Sequence, residues 1–450
     1  MIDMTKGDCG KLILKFAFPM ILGNIFQQIY NLVDSIVVGK FVGANALAAV
    51  GSSFAIVVFV TSTIIGLTMG VGTILAQFYG SGEIEKFKEA TFTSFIFIGG
   101  VTIIIMIISL LGIDLILSLF NMPNELIKDS KEYLTIIIVG LIFTFIYNLA
   151  TALLRSIGDS KRPLYFLIIA SLINIILDLV FVLKFNMGVR GVAMATVIAQ
   201  ATSAVLSAMY VYKSVGIISF KKSDIRISKG IFRDVIKYSI LTSTQQSIMN
   251  FGILIVQGLV NTFGATVMAA FAAGVKVDSI AYMPVQDFGN AFSTFVAQNK
   301  GAGKIDRVKD GVRGSIKIII VFCVVISTLI LIFSKDIMYL FINKNEIEVI
   351  SLGAEYLSVV SIFYVLIGFL FMFYGLFRGL GHLKVSIVLT IVSLGTRVIL
   401  AYILASTWLG ERGIWWSIPI GWALADIIGI IYFHKNINSD INLEDNKISN

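Results

Sequence analysis

Apolar stretches of about twenty residues recur from one end of this chain to the other, which constrains the fold more than any motif does. The first, over 16–38, carries one charged residue, Asp34. Hydrocarbon offers no partner for a free backbone N–H or C=O, so such stretches fold as helices that close their own hydrogen bonds. Of 450 residues, 57% are hydrophobic and 14% charged, which excludes an ordinary soluble domain. The net charge of +8 therefore reads as a topology signal, and no nucleic-acid partner is expected. Cys9 and Cys323 show no pairing pattern, and His382 and His434 are too few for a zinc site. No HExxH motif or nucleophile elbow is present, so no enzyme is expected. The opening MIDMTKGDCGKL runs into an apolar segment too long for a signal-peptide core, so the first helix is expected to be its own insertion signal.

Polar punctuation marks twelve spans, near 14–39, 46–79, 92–118, 132–154, 163–185, 190–213, 235–262, 267–297, 316–341, 352–376, 384–407 and 413–433. The basic excess is densest in 213–237 and 300–317. Short basic loops stay inside, which places both termini in the cytoplasm of a multi-pass plasma-membrane protein. Trp408, Trp415 and Trp416 flank the last outer loop and read as an interfacial aromatic belt. The Ile- and Lys-rich composition points to a bacterium.

The sequence AQFYGSGEIEKFKEA (76–90) returns as AQNKGAGKIDRVKDG (297–311), an offset of 221. LLRSIGDSK (153–161) returns as LFRGLGHLK (376–384), offset 223, and RGV (190–192) as RGI (412–414), offset 222. Each half holds six spans, so the two halves cross the membrane in the same sense. The fold class is an all-α membrane protein of twelve helices in two parallel six-helix repeats, a transporter plan. The expected organisation is a lobe at 1–215, a basic linker at 216–234, a second lobe at 235–434 and a tail at 435–450. A monomer suffices for this plan.

Asp34 corresponds by the repeat to Ile255, and Asp178 to Ala401. The sister half builds the same helices without either acid, so the fold does not require them. A charge at the centre of a span costs ~2.5–3.5 kcal/mol, and such residues usually serve a pathway or a pair. Counting along the helices puts Asp34, Asp178 and Thr196 in one layer about 8–10 Å below the outer surface. Asn174 and Asp178 are i and i+4 and share a face. Two carboxylates, an amide and a hydroxyl suit a hard cation, and the same site can take a proton. The alternative is interhelical hydrogen bonding that only holds helices together.

The doubled six-helix plan, the PMILGNIFQQIYNLVDSIVVGKFVG opening and the two AQ–x–x–G–x–G loops resemble the multidrug and toxic compound extrusion (MATE) family over about 12–433. The resemblance implies an antiporter that expels organic cations or other amphipathic drugs and toxins against inward Na+ or H+, with no organic cofactor. It also implies a cation-coupling site at Asp34, Asn174, Asp178 and Thr196, and a helix-bending role for Pro19. A bend tolerated by the bilayer explains Pro19 equally well. One branch of that family has an acid midway along span 7, where this chain reads QQSIMNFGILIVQG (245–258). A sodium site of that branch's kind is not expected. Phe26, Gln27 and Tyr30 on helix 1 are candidates to line the substrate path.

The second half carries its own charges within spans: Lys276, Asp278, Asp287, Arg397 and Asp426. They form either a buried network joining spans 8, 11 and 12 or a cationic surface for an acidic substrate group. The second possibility leaves a rival function open, a flippase or exporter of an anionic or lipid-linked substrate.

Overall fold

The computed structural model describes residues 2–120, 122–214 and 227–437. The expected basic linker and C-terminal tail lie mostly outside these residues. Among the described residues there is no strand. The helices are α1 (Cys9–Val37), α2 (Ala44–Gly80), α3 (Ile84–Leu111), α4 (Ile113–Leu119), α5 (Asn124–Val139), α6 (Leu141–Ser156), α7 (Lys161–Leu179) and α8 (Gly188–Ser214). They continue as α9 (Lys229–Val260), α10 (Ala265–Gly301), α11 (Ile305–Met338), α12 (Ile347–Ser361), α13 (Tyr364–Gly379), α14 (Leu383–Ala405) and α15 (Glu411–Tyr432).

Nine described helices are each long and apolar enough to cross a membrane, and two bent pairs, α5 with α6 and α12 with α13, pass the same test. The twelfth crossing is α9, 32 residues long, whose Gln245, Gln246 and Asn250 lower its hydropathy. All twelve expected spans therefore have a helical counterpart. The difference lies in spans 4 and 10, expected as single helices and found broken by 42° and 54°. Gly140 at the first break is a poor helix former. The second break, at Ile362–Phe363, has neither Gly nor Pro. Instead, the Ser327 hydroxyl on α11 donates to the Ser361 carbonyl at 2.6 Å, satisfying a backbone group that the break exposes.

The repeat is visible in the backbone as well as in the sequence. Gly82 and Gly303 adopt φ of 75° and 68°, and Gly158 and Gly381 adopt 84° and 78°. These left-handed turns demand glycine, and they recur at the repeat offset.

The chain divides into two compact units. Unit 1 comprises Met1–Asp3 and Phe18–Ser247, and unit 2 comprises Met4–Ala17 and Ile248–Asn450. Two helices, α1 and α9, thus each contribute to both units, and α1 changes unit immediately before Pro19. The repeated loops account for part of this exchange. In unit 2, Asn299 Nδ2 donates to the Met4 carbonyl at 3.0 Å, Lys304 Nζ to Thr5 at 3.0 Å and Arg307 Nη1 to Gly7 at 3.0 Å. In unit 1, Glu89 accepts from the Ser228 N–H and Gln77 from the Tyr238 hydroxyl. In each unit the AQ–x–x–G–x–G loop and the helix after it grip the segment that leads into the first helix of a half.

Within unit 2, α10 and α13 pack backbone against backbone through Gly289 and Ser293 on one helix and Gly375 and Gly379 on the other. A Cβ on Gly289 would meet the Phe371 carbonyl at 2.6 Å, and one on Gly379 the Ser293 carbonyl at 2.8 Å. A Cβ on Gly375 would collide with the Gly289 carbonyl. Small residues four apart allow this approach, which supplies dispersion contact where no hydrophobic effect operates between helices. Trp415, expected in the aromatic belt, is instead fully buried in this unit. It stacks on Phe271 at 5.5 Å and meets Tyr356 edge-on at 5.1 Å, whereas Trp408 and Trp416 are exposed.

We expect Gly375→Ala to destabilise the detergent-solubilised protein by roughly 1–3 kcal/mol, the cost of overpacking. Gly395→Ala, whose Cβ meets nothing within 4 Å, is the matched control and should leave the melting temperature at or slightly above wild type, since Ala is the better helix former. Equal melting of the two variants would contradict the close-packed seam.

Candidate functional site

The acidic residues of unit 1 sit near the ends of two helices that finish alike. Asp34 lies about one turn before a π-helical segment, Val38–Val42, and Asp178 two residues before another, Val180–Lys184. A π segment has wider, less favourable turns, and such segments occur frequently at functional sites. The corresponding ends in the second half are built differently: α9 finishes in a 3₁₀ turn, Asn261–Phe263, and α14 finishes without a π segment. The distortion therefore accompanies the acids rather than the repeat.

Asp34 and Asp178 face each other within hydrogen-bonding reach. Asn174 is 1% exposed and Asp178 is completely buried. The buried Oδ1 of Asp34, both oxygens of Asp178 and both polar atoms of the Asn174 amide find no hydrogen-bond donor or acceptor among the described residues. Two carboxylates in contact are acceptors without a donor, so the contact is satisfied only when a proton or a metal cation lies between them. Thr196 donates its hydroxyl to the Val192 carbonyl at 3.0 Å, leaving only its lone pairs for a ligand. Its donor is already used, so a cation suits Thr196 better than an anion does.

An apolar cluster of Val37, Val38, Ala46, Val182, Val189 and Val192 lies beside the acids, drawn partly from the two π segments. Tyr133 of α5 packs against this cluster, and its ring lies near both carboxylates. Nothing in the sequence singles out Tyr133, because α5 reads as an ordinary amphipathic helix. The periodic signal shows which face of a helix is buried but not what it is buried against. Phe26 and Gln27 are exposed and Tyr30 is half-buried, within hydrogen-bonding reach of Gln27. Pro19 lies inside α1 without ending it.

The charges of unit 2 do not form one network. Asp278 is buried and accepts from the Tyr356 hydroxyl at 3.2 Å, with Arg397 close enough to attract it. Lys276 is exposed on another face of α10 and takes no part in this group. The i, i+2 spacing explains the split, since residues two apart point about 200° around a helix from each other. Asp287 and Asp426 are buried, at 5% and 4% exposure, and Asp426 has no partner for either oxygen. A further buried cation, Arg378 of the LFRGLGHLK motif, donates to Ser293 at 3.1 Å and Asn290 at 2.8 Å. Its place inside the repeated motif was the available signal. Among the described residues, no three His, Cys, Asp or Glu side chains are grouped as a metal site.

Comparison with known proteins agrees with this architecture. The MatE family model matches residues 19–180 and 240–403. The chain is 30% identical over 432 residues to the probable multidrug resistance protein YpnP of Bacillus subtilis, covering 96% of each. It is also similar to a solved outward-facing multidrug resistance MATE family transporter of the MOP superfamily, with TM-score 0.91 and 25% identity over 97% of both chains. A second solved structure, a MOP superfamily transporter from Pyrococcus furiosus described by the reverse polarity of its binding pocket, gives the same TM-score, 0.91, identity, 25%, and coverage of both chains, 97%.

The facing carboxylates generate a stability prediction. Asp178→Asn gives Asp34 an N–H donor, and a buried acceptor that gains a donor recovers about 1–3 kcal/mol. The variant should melt above wild type in sodium-free buffer, and sodium should then add little. A lower melting temperature would show that Asp34 and Asp178 do not face each other.

Proposed function

Because the chain belongs to the MATE family of membrane transporters, we propose that it is a secondary active antiporter that exports amphipathic, chiefly cationic, drugs or toxins in exchange for inward sodium or protons. The observation that carries this reading is the pair of facing carboxylates, Asp34 and Asp178, with no donor between them. Such a pair costs free energy in an apolar interior unless it holds a cation, so it is suited to bind one and release it. The multidrug-resistance relatives support the substrate class.

In this cycle Asp34 and Asp178 take the coupling ion, Asn174 supplies its amide oxygen and Thr196 a hydroxyl lone pair. Loading removes negative charge from the end of α1. The adjoining π segment and Pro19 let that helix change shape at modest cost, since both are sites of weakened helical hydrogen bonding. Coupling requires that ion and substrate favour different states of the transporter or compete within one. Phe26, Gln27 and Tyr30 offer two aromatic rings and an amide to a varied substrate. The termini are cytoplasmic in this scheme, in keeping with the basic loops.

A second reading, export of an anionic or lipid-linked compound, draws support from Lys276. Its ammonium is exposed on a helix otherwise apolar enough to span a membrane, where an acidic group would find it. The related transporter described by reversed pocket polarity keeps this reading in view.

The test is transport of a fluorescent organic cation in proteoliposomes under separately imposed sodium and proton gradients. Wild type should export the dye with one gradient, and Asp34→Asn should fall to background although folded and inserted. Dye movement that ignores both gradients would remove ion coupling. Inactivity toward cations, with transport of an acidic amphiphile that is lost in Lys276→Gln, would favour the second reading.

A further inference from the structure

The buried carboxylate of Asp426 has no role in the site described above. It sits on α15, 4% exposed, and neither oxygen has a hydrogen-bond partner among the described residues. It lies about 9 Å along the helix from Tyr432, where α15 ends. A phenol from another helix is near it, and a second hydroxyl adjoins that phenol. Tyr374 of α13, 6% exposed, has its phenol in hydrogen-bonding reach of Thr390 on α14 and in the electrostatic field of Asp426. Thr390 is fully buried and donates to the Ser386 carbonyl at 2.9 Å, so its lone pairs remain available.

The repeat shows that this polar group is not needed to build the lobe. The first half places Ala204 where the second has Asp426, Thr151 where it has Tyr374 and Leu167 where it has Thr390. Ala204 is as buried as the carboxylate that replaces it. The arginines of α13, α14 and α15 have other partners. Arg378 is committed to Ser293 and Asn290, Arg397 lies beside Asp278, and Arg412 pairs with Glu355 at 2.7 Å near the other end of α15. An ionised carboxylate held in such surroundings without a counter-ion costs several kcal/mol.

We propose that Asp426 is a second site for a small monovalent cation, proton or sodium, held with the oxygens of Tyr374 and Thr390. The site lies wholly within unit 2, on helices α13, α14 and α15. It is distinct from the Asp34–Asp178 pair and from the span-7 position that carries no acid in this chain. A proton there makes the carboxyl a donor as well as an acceptor, and sodium takes the carboxylate and hydroxyl oxygens as ligands. The inference goes beyond the transport cycle proposed above and does not depend on it.

The experiment reads binding in a background without the first pair. Asp34→Asn/Asp178→Asn protein, purified and reconstituted in lipid, would be compared with the same protein carrying Asp426→Asn. Infrared difference spectra between acidic and alkaline buffer report a buried protonated carboxyl, and equilibrium dialysis with radioactive sodium reports sodium. We expect the background protein to show either a protonated-carboxyl band or retained sodium, and Asp426→Asn to abolish it. A band insensitive to added sodium identifies the proton, and one suppressed by sodium at fixed pH identifies sodium competing for the same site. Tyr374→Phe/Thr390→Val, which keeps the carboxylate, should weaken the binding several-fold. If neither signal is present in the background protein, or if it survives Asp426→Asn, the assignment is overturned. Because Asp34 and Asp178 are absent from the assay, that failure leaves the coupling role proposed for them untouched.

Discussion

In an apolar interior every polar group needs a partner, and the cost of lacking one runs to several kcal/mol. The architecture follows from that constraint. Helices form because they alone close their backbone bonds within a single crossing. Where a crossing breaks, at Ser361, a serine from the neighbouring helix occupies the freed carbonyl. Where Arg378 is buried, Ser293 and Asn290 meet it. Other buried groups, such as the hydroxyls of Ser53 and Thr102, also lack a partner, but Asp178 and Asp426 stand out because a bare ionised carboxylate costs far more than a bare hydroxyl.

The repeat then separates what the lobe needs from what it has been given. Left-handed glycines, the gripping loops and the broken fourth helix occur in both halves, so they belong to the scaffold. Acids near the ends of α1 and α7, each followed by a π segment, occur only in the first half, whereas the second half has its π segment after α15, at Phe433–Ile437, and carries the Asp426 group. Duplication provides an internal control: a residue whose counterpart is Ile255, Ala401 or Ala204 cannot be explained by helix packing alone. Polar load has diverged while topology has been kept.

Much of this was legible in the sequence, and the failures share a cause. A helix for each of the twelve expected spans followed from apolar length, and the burial of Asn174 together with Asp178 from their i, i+4 spacing. Helix geometry is local, so residue numbers translate into positions along and around one axis. Tyr133 and Tyr356 escaped notice because their importance comes from what another helix presents to them. Trp415 and Trp416 are adjacent in sequence, and only the packing of Phe271 and Tyr356 decides which is buried. The break at Ile362–Phe363 left no trace because its compensation, Ser327, lies on a different helix. The separation of Lys276 from Asp278, by contrast, is already legible in their i, i+2 spacing, which puts them on different faces of α10.

The division of α1 between units gives the coupling argument a mechanical form. Residues up to Ala17 belong to the unit whose loop, through Asn299, Lys304 and Arg307, holds the segment before the helix. Residues from Phe18 belong to the unit that carries Asp178. Pro19 stands at the change, and a proline removes one helical hydrogen bond and clashes with the preceding turn, which makes this the cheapest place for the helix to bend. A helix anchored at its start by one unit and carrying Asp34 near its end in the other is sensitive to both. Asp34, in the coupling role proposed for it, and a bend at Pro19 therefore need not be close in space, since one continuous helix connects them.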